Sequence, residues 1–333
     1  MKDPLKRFTV SAVSITLLFI AIGFSCKENK PVLPEVDTTE VTVVTPTSAS
    51  CSGRVISAGS TNLIEKGLCW SDSSSPTIKD STVSANLYPY LVAFELRIVG
   101  LNPETTYYVR AYATSEAGTS YGEELSFTTP VDLTGETGTI ADIDGNIYPT
   151  IGIGAQIWMS ENLKTTRYND GSSIPLVTDN SKWSQLFTPA YCWYNNNMNN
   201  KYIYGALYNW YTVQTGKLCP SGWHVPSDTE WKVIEIFLGG GGVAGGKMKL
   251  PGTDYWKSPN VGATNSSGFA GLPGGVRAED GSFQNISESN LFWTSTGKKD
   301  FSIWYRAQDY LAIELGRGIH SILCGGSIRC IKD

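Results

Sequence analysis

The side chains able to do chemistry are few and widely spaced. His224 and His320 are the only histidines among 333 residues. Neither has a Ser-His-Asp spacing around it, and two histidines alone make no closed metal site. His224 falls between Trp223 and Val225, where a packed or capping role fits better than that of a base. Cysteine is the other reactive set, at seven. Cys26 stands apart near the N-terminus, and Cys51, Cys69, Cys192, Cys219, Cys324 and Cys330 remain. An even set in an exported chain favours disulfides, though six sulfurs leave the connectivity open. Asp142, Asp144 and Asn146 carry the oxygen donors of a calcium loop. A calcium loop needs glycine sixth and a bidentate Glu twelfth. Here Gly145 is too early and Ile153 stands at the Glu position, so Asp144-Gly145 reads as a hairpin turn. Gly152 and Gly154 lack the Lys-Ser/Thr pair of a phosphate loop. These residues predict no catalytic centre, no metal and no cofactor.

Another set suits sugars. Tyr191-Cys192-Trp193-Tyr194 runs into Asn195-Asn196-Asn197. Aromatic faces stack on the C–H faces of a sugar, while amides bond its hydroxyls. Trp193, Tyr194, Asn196, Trp256 and Trp304 are the ligand-binding candidates on that ground. For the aromatics of segment 204–211, read as one or two helical turns, filling a core is the simpler role.

The element that must position the C-terminal half begins at Cys219-Pro220-Ser221-Gly222-Trp223-His224-Val225-Pro226-Ser227. Ser227 and Glu230 have the spacing of a capping box. Val233, Ile234, Ile236, Phe237 and Leu238 give the helix an apolar face, and Gly239 stops it. Trp223 and Trp231 bracket the cap and pin it into a core. Six glycines in 239–246 predict a flexible run, and 251–256 and 265–277 read as long irregular loops.

Residues 37–130 are different in kind. Val41-Thr42-Val43-Val44, Leu68-Cys69-Trp70, Ala93-Phe94-Glu95-Leu96-Arg97-Ile98 and Tyr107-Tyr108-Val109-Arg110-Ala111-Tyr112-Ala113 are short β-rich runs between turn clusters. They predict an all-β sandwich. Leu101-Asn102-Pro103-Glu104-Thr105-Thr106-Tyr107 fits a tyrosine corner. Cys51 and Cys69 fall inside this sandwich, where a disulfide between neighbouring strands is the simple expectation. Residues 131–137 read as a linker. Low charge (17%), a formal net charge of −5 and no Lys/Arg cluster exclude nucleic acid as a partner.

Lys2, Lys6 and Arg7 precede an apolar run from Val10 to Phe24, closed by Gly23-Phe24-Ser25-Cys26. The segment resembles a bacterial lipoprotein signal. That resemblance implies removal of residues 1–25, lipidation of Cys26, and a tether over 26–36 stiffened by Pro31 and Pro34. The partner is then the membrane, through the lipid, and the location the bacterial envelope, at the outer membrane and surface-exposed. The 37–130 segment, from the tyrosine corner to Ser126-Phe127-Thr128-Thr129, resembles a fibronectin type III domain. A spacer role fits it better than ligand binding.

Six motifs occur in order across 138–333. They are Asp142-Ile143-Asp144-Gly145-Asn146, Gln156-Ile157-Trp158-Met159-Ser160-Glu161-Asn162-Leu163, the Cys219 to Ser227 run, Gly268-Phe269-Ala270-Gly271-Leu272-Pro273-Gly274-Gly275, Phe292-Trp293-Thr294-Ser295-Thr296 and Ser327-Ile328-Arg329-Cys330. This region resembles the Fibrobacter succinogenes major paralogous domain. The resemblance implies an α+β fold like C-type lectins and formylglycine-generating enzymes, with long loops. It also implies Cys219 partnered with Cys330, and Cys192 with Cys324. The function expected is a non-catalytic binding or adhesion module for a glycan or an extracellular protein. One alternative is a structural subunit of an envelope or filament. The other, carried by the formylglycine-generating relatives, is a copper-dependent oxidase using Cys324 and Cys330.

Overall fold

The computed structural model describes residues 30–89, 92–297 and 302–333. Cys26 and the leader before it lie outside the described residues.

The first eight strands are β1 (Glu35–Thr45), β2 (Ser48–Ser57), β3 (Leu63–Ser71), β4 (Ser81–Ser84), β5 (Ala93–Val99), β6 (Thr106–Ser115), β7 (Gly118–Tyr121) and β8 (Leu125–Thr128). One sheet runs β1-β2-β5 and the other β4-β3-β6-β7, with β8 also on β6. All these pairings are antiparallel. The inward residues follow the two-residue period of a strand. Tyr107, Val109, Ala111 and Ala113 of β6 meet Ala49, Cys51, Val55 and Ile98 in one buried cluster. The corner forms as expected: the Asn102 N–H donates to the Tyr107 hydroxyl at 3.0 Å, over buried Leu101.

The expected bond between Cys51 and Cys69 is absent. Both are free and buried. Cys51 lies opposite Val41 and Leu96 in one sheet, and Cys69 opposite Thr82 and Arg110 in the other. The chain crosses between sheets from β2 to β3, so strands adjacent in sequence are not neighbours in a ladder. Burial pushes the Cys51 thiol up to about 12 and that of Cys69 to about 11, which leaves both inert, Cys51 in the apolar core and Cys69 donating to the Pro76 and Arg110 carbonyls.

The C-terminal body opens with β9 (Thr137–Ala141), β10 (Ile147–Ile153) and β11 (Gln156–Met159). Short elements follow: α1 (Asn180–Trp183), β12 (Tyr191–Cys192), α2 (Asn200–Tyr204), β13 (Leu207–Asn209), α3 (Trp210–Gln214) and β14 (Trp223–His224). Next come α4 (Asp228–Phe237), α5 (Gly241–Met248), β15 (Gly274–Arg277) and β16 (Phe283–Ile286). The last elements are β17 (Ser289–Gly297), β18 (Ser302–Asp309), β19 (Gly316–Ser321), β20 (Gly325–Gly326) and β21 (Ile331–Lys332). A five-stranded sheet has the order β14-β21-β11-β10-β9, and the other follows β12-β13-β20-β15-β17-β18-β19 with β16 on β15. The final strand thus pairs beside early ones, and a disulfide joins Cys219 to Cys330.

Helix α4 is capped as its sequence requires. The Ser227 hydroxyl accepts from the Glu230 N–H at 3.2 Å, and the Glu230 carboxylate accepts from the Ser227 N–H at 2.7 Å. Trp231 and Ile234 are fully buried against Trp158, Phe269 and Phe292. The glycine run beyond it is not the flexible loop its composition predicts but helix α5. A Cβ at Gly245 would meet the Glu314 carbonyl oxygen at 2.1 Å, and one at Gly246 would meet that of Gly262 at 2.4 Å. The glycines let the helix lie flush on backbone, which offsets their poor propensity. Segment 204–211 likewise holds a strand as well as a helix start.

Two further expectations change. Residues 131–137 are no free linker, because the Leu133 and Gly135 N–H groups donate to Gly154 and Gly152 carbonyls at 2.8 and 3.0 Å. Cys192 and Cys324 are free and sit in different buried clusters. Cys192 packs with Trp183, Tyr194 and Leu207, under the Arg277 guanidinium that also stacks on Trp183 at 4.3 Å.

Candidate functional site

The two faces of the five-stranded sheet do different work. Trp158 pairs with Ile331, and both are buried with Ile153 against α4. Strand alternation therefore sends their neighbours Ile157 and Lys332 to the opposite face. Trp223 pairs with Lys332 and joins them there. His224, one residue on, points the other way, with Nε2 2.7 Å from Glu230 Oε1 and Nδ1 2.6 Å from Asp333 Oδ1. Burial works to lower the His224 pKa, but bonds to Asp333 and Glu230 outweigh it and the pKa is raised. This clamp, with the disulfide alongside, fixes the register that presents Trp223.

On the presented face lies a cleft of about 340 Å³. Glu136, Thr150, Ile157, Trp223 and Lys332 line it, bordered by the 137–140 strand. Gly138 keeps it open at one side, since a Cβ there would come within 3.2 Å of Thr150 Oγ1. Trp223 is half-buried, packing against the core while it borders the cleft, and Glu136 and Lys332 are exposed. An aromatic platform, a hydroxyl and two opposite charges can stack on and hydrogen-bond a polar ligand. No cysteine, histidine or serine lines the cleft, whose polar side chains are those of Glu136, Thr137, Thr139, Thr150 and Lys332.

The hairpin that carries β9 and β10 uses its acids internally. The Asp142 carboxylate accepts from the Asp144 and Asn146 N–H groups at 2.9 Å each and from the Tyr148 hydroxyl at 2.5 Å. Asp144 accepts from the Thr166 N–H at 2.5 Å and from Arg167 Nε at 2.6 Å. Burial opposes ionisation of Asp144, yet the Thr166 and Arg167 bonds hold its pKa below the usual range. The hairpin reading stands.

The ligand-binding residues anticipated from sequence are not brought together. Trp193, Tyr194 and Trp256 are 4%, 5% and 1% exposed. Trp193 meets Tyr191 edge-on with centroids 5.2 Å apart, and the Trp256 indole N–H donates to the Gly271 carbonyl at 3.0 Å. Asn196 is exposed, but its amide donates to the Thr178 carbonyl at 2.9 Å. Trp304 carries the Arg317 guanidinium 3.5 Å from its ring centroid. Sequence reasoning placed Trp223 in the core, against which it does pack, but passed over its place at the cleft and over Lys332 and Thr150. The signal was the Trp-His alternation, which becomes legible only once the pairing with β21 is known. The thiolate pair of the copper reading does not exist either, because Cys330 is bonded to Cys219.

The profile of the family described as the Fibrobacter succinogenes major domain matches residues 151–332, more than half of the chain. The chain belongs to that family. The match begins inside β10, later than the boundary at 138 expected from the hairpin motif. The major domain motifs run along the cleft's sheet and its support: Gln156 to Met159 is β11, and the Cys219 to Ser227 run holds β14 and the cap of α4. No curated protein matches the chain. Among solved structures, the sensor domain of the anti-sigma factor RsgI4 in Pseudobacteroides cellulosolvens is similar at 21% identity. That alignment covers 32% of this chain and 100% of that one, with a TM-score of 0.25. A second structure of that sensor domain aligns at 19% identity, over 29% and 95% of the two chains, with a TM-score of 0.23. A myokine structure aligns at 20% identity over 30% and 99%, also at 0.23. Likenesses this loose say nothing about what the major domain holds.

Proposed function

We propose that this chain is a non-catalytic binding module carried on a bacterial envelope. Cys26 takes the lipid that anchors it at the outer membrane. The N-terminal sandwich is a fibronectin type III-like stalk, a reading supported by its strand order and its tyrosine corner. The C-terminal body, C-type lectin-like in fold, bears the ligand. The observation that carries this reading is the cleft over Trp223, Thr150 and Lys332, which stays open on a sheet face otherwise packed through Tyr148 and Met159. A glycan is the ligand class it suits, with a C–H face on the Trp223 ring and hydroxyls shared among Thr150, Glu136 and Lys332. An exposed polar segment of an extracellular protein is the second class.

A glycan and matrix-protein array with the chain starting at Lys27 tests this directly. Binding that Trp223→Ala removes is the expected result. Uniformly blank arrays, or binding indifferent to that substitution, would defeat the proposal. The anchor is tested separately: Cys26→Ser should move the protein from the membrane fraction to the soluble one.

A further inference from the structure

Away from the cleft, three side chains of unlike chemistry converge. Glu279 lies on the turn after β15, His320 near the end of β19, and Cys324 on the turn before β20. Each offers one ligand atom, and these atoms all lie within 4.8 Å of one another. Cys324 Sγ is 3.1 Å from His320 Nδ1 and 4.0 Å from Nε2. The geometry points to a binding site for one zinc-class divalent ion, held by the Cys324 thiolate, a His320 ring nitrogen and the Glu279 carboxylate, with water as fourth ligand.

The backbone around the cluster is built firmly. The Glu279 turn is closed by the Gly281 N–H to the Ala278 carbonyl at 2.9 Å and the Ala278 N–H to the Ser282 carbonyl at 2.8 Å. Buried Arg277 clamps it from below, donating through Nε to the Gly281 carbonyl at 3.0 Å. Gly281 has φ +84, and a Cβ there would strike Asn180 at 2.6 Å, so the turn demands glycine. The His320 ring rests against Tyr305 and Trp293, with centroids 5.7 and 6.5 Å away. The Cys324 N–H donates to the Ser321 carbonyl at 3.2 Å, and the Glu279 N–H reaches the sulfur. Packing therefore holds sulfur and imidazole in advance, while the exposed carboxylate swings in from solvent.

Chemistry selects the ion. Zinc bonds of about 2.3 Å to sulfur and about 2.0 Å to nitrogen or oxygen place tetrahedral ligand atoms roughly 3.2 to 3.7 Å apart. The cluster needs to close by only about 1 Å, which a rotation of exposed Glu279 supplies. Calcium and magnesium want oxygen alone, whereas a thiolate–imidazole–carboxylate set suits zinc or its cobalt substitute. The ion replaces the Ser321 N–H now donated to His320 Nδ1 at 3.0 Å. It also displaces the thiol proton of Cys324 to solvent, so one proton leaves as one ion binds. Cys324 is 0% exposed, which bars it as a nucleophile toward a substrate carbon but not as a ligand to an ion arriving past Glu279.

The test uses the purified full chain in detergent, stripped with a chelator and dialysed. Calorimetric titration with zinc chloride should show one saturable equivalent. Cobalt should give a thiolate charge-transfer band and the intense visible bands of a tetrahedral site. Cys324→Ser should abolish the charge-transfer band. Glu279→Gln, on an exposed turn, should keep the circular dichroism spectrum and weaken zinc binding about tenfold or more. Failure of zinc to bind, a cobalt spectrum indifferent to Cys324→Ser, or a Cys192–Cys324 disulfide in peptide mapping would each overturn the site.

Discussion

The sandwich and the C-terminal body solve the same problem by different means. Backbone carbonyls taken from water need partners. In the sandwich, ladders over β1 to β8 supply them, and the core is filled by Val, Leu, Ala, Ile, Tyr and the inert Cys51 thiol. The body buries long loops that have no ladder, and it gathers their carbonyls on cations. Arg329, 1% exposed, donates to the Met159, Phe269 and Ala270 carbonyls and to Asn162 Oδ1. Lys249, 0% exposed, gives its three protons to the Val261, Asp309 and Ala312 carbonyls at 2.7 to 2.9 Å. Arg277 serves Val177, Thr178 and Gly281 likewise. Irregular backbone can therefore be buried where a residue with several donors stands at its centre.

The sharpest way to break this contrast is to remove a hub. Arg329→Met should destabilise the body by about 3–5 kcal/mol, because it orphans three carbonyls and an amide at once. Denaturant unfolding measures it, and a loss under 1 kcal/mol would mean the loops do not depend on the cation. Cutting the covalent tie comes next. Cys219→Ser should cost about 4 kcal/mol by freeing a closed loop of 111 positions. It should shift the body's unfolding transition and leave that of the sandwich in place. Lys249→Met keeps the stem but no proton, and about 2–3 kcal/mol is expected. In the sandwich, Cys51→Ala should cost only about 1 kcal/mol, since it removes one sulfur from an apolar core. A larger loss there would erase the distinction between the regions.

The smallest effect is a pH dependence. His224 has a raised folded pKa, so its contribution is complete below its unfolded value of about 6.5 and fades as pH rises through the folded value. His224→Gln should therefore lower the melting temperature more at acid than at alkaline pH. An equal drop at both would show that the clamp to Glu230 and Asp333 is not ionic.

What could be read from the sequence was whatever is decided within a few residues. The capping box at Ser227 and Glu230, the corner at Tyr107 and the Asp142 turn are local contacts, and all three form. The misreadings share one cause, which is distance along the chain. The glycines of α5 are explained by Gly262 and Glu314, and the two sandwich thiols by a crossover between sheets. Trp223 reaches the cleft because its partner is Lys332 at the far end. Aromatic composition could not say which tryptophans keep a free face. Trp256 is anchored through its indole N–H to Gly271 and 1% exposed, while Trp223 is only half-buried and borders the cleft.

The sulfur bridge beside Trp223 also decides how the molecule would bear a pull. Load gripped at the cleft and resisted where the chain enters at Thr137 travels through five hydrogen-bonded strands and one covalent link. Beyond β14, the residues looped out between the two half-cystines hang off that line. They carry no tension, and their shapes are free to vary without slackening the hold.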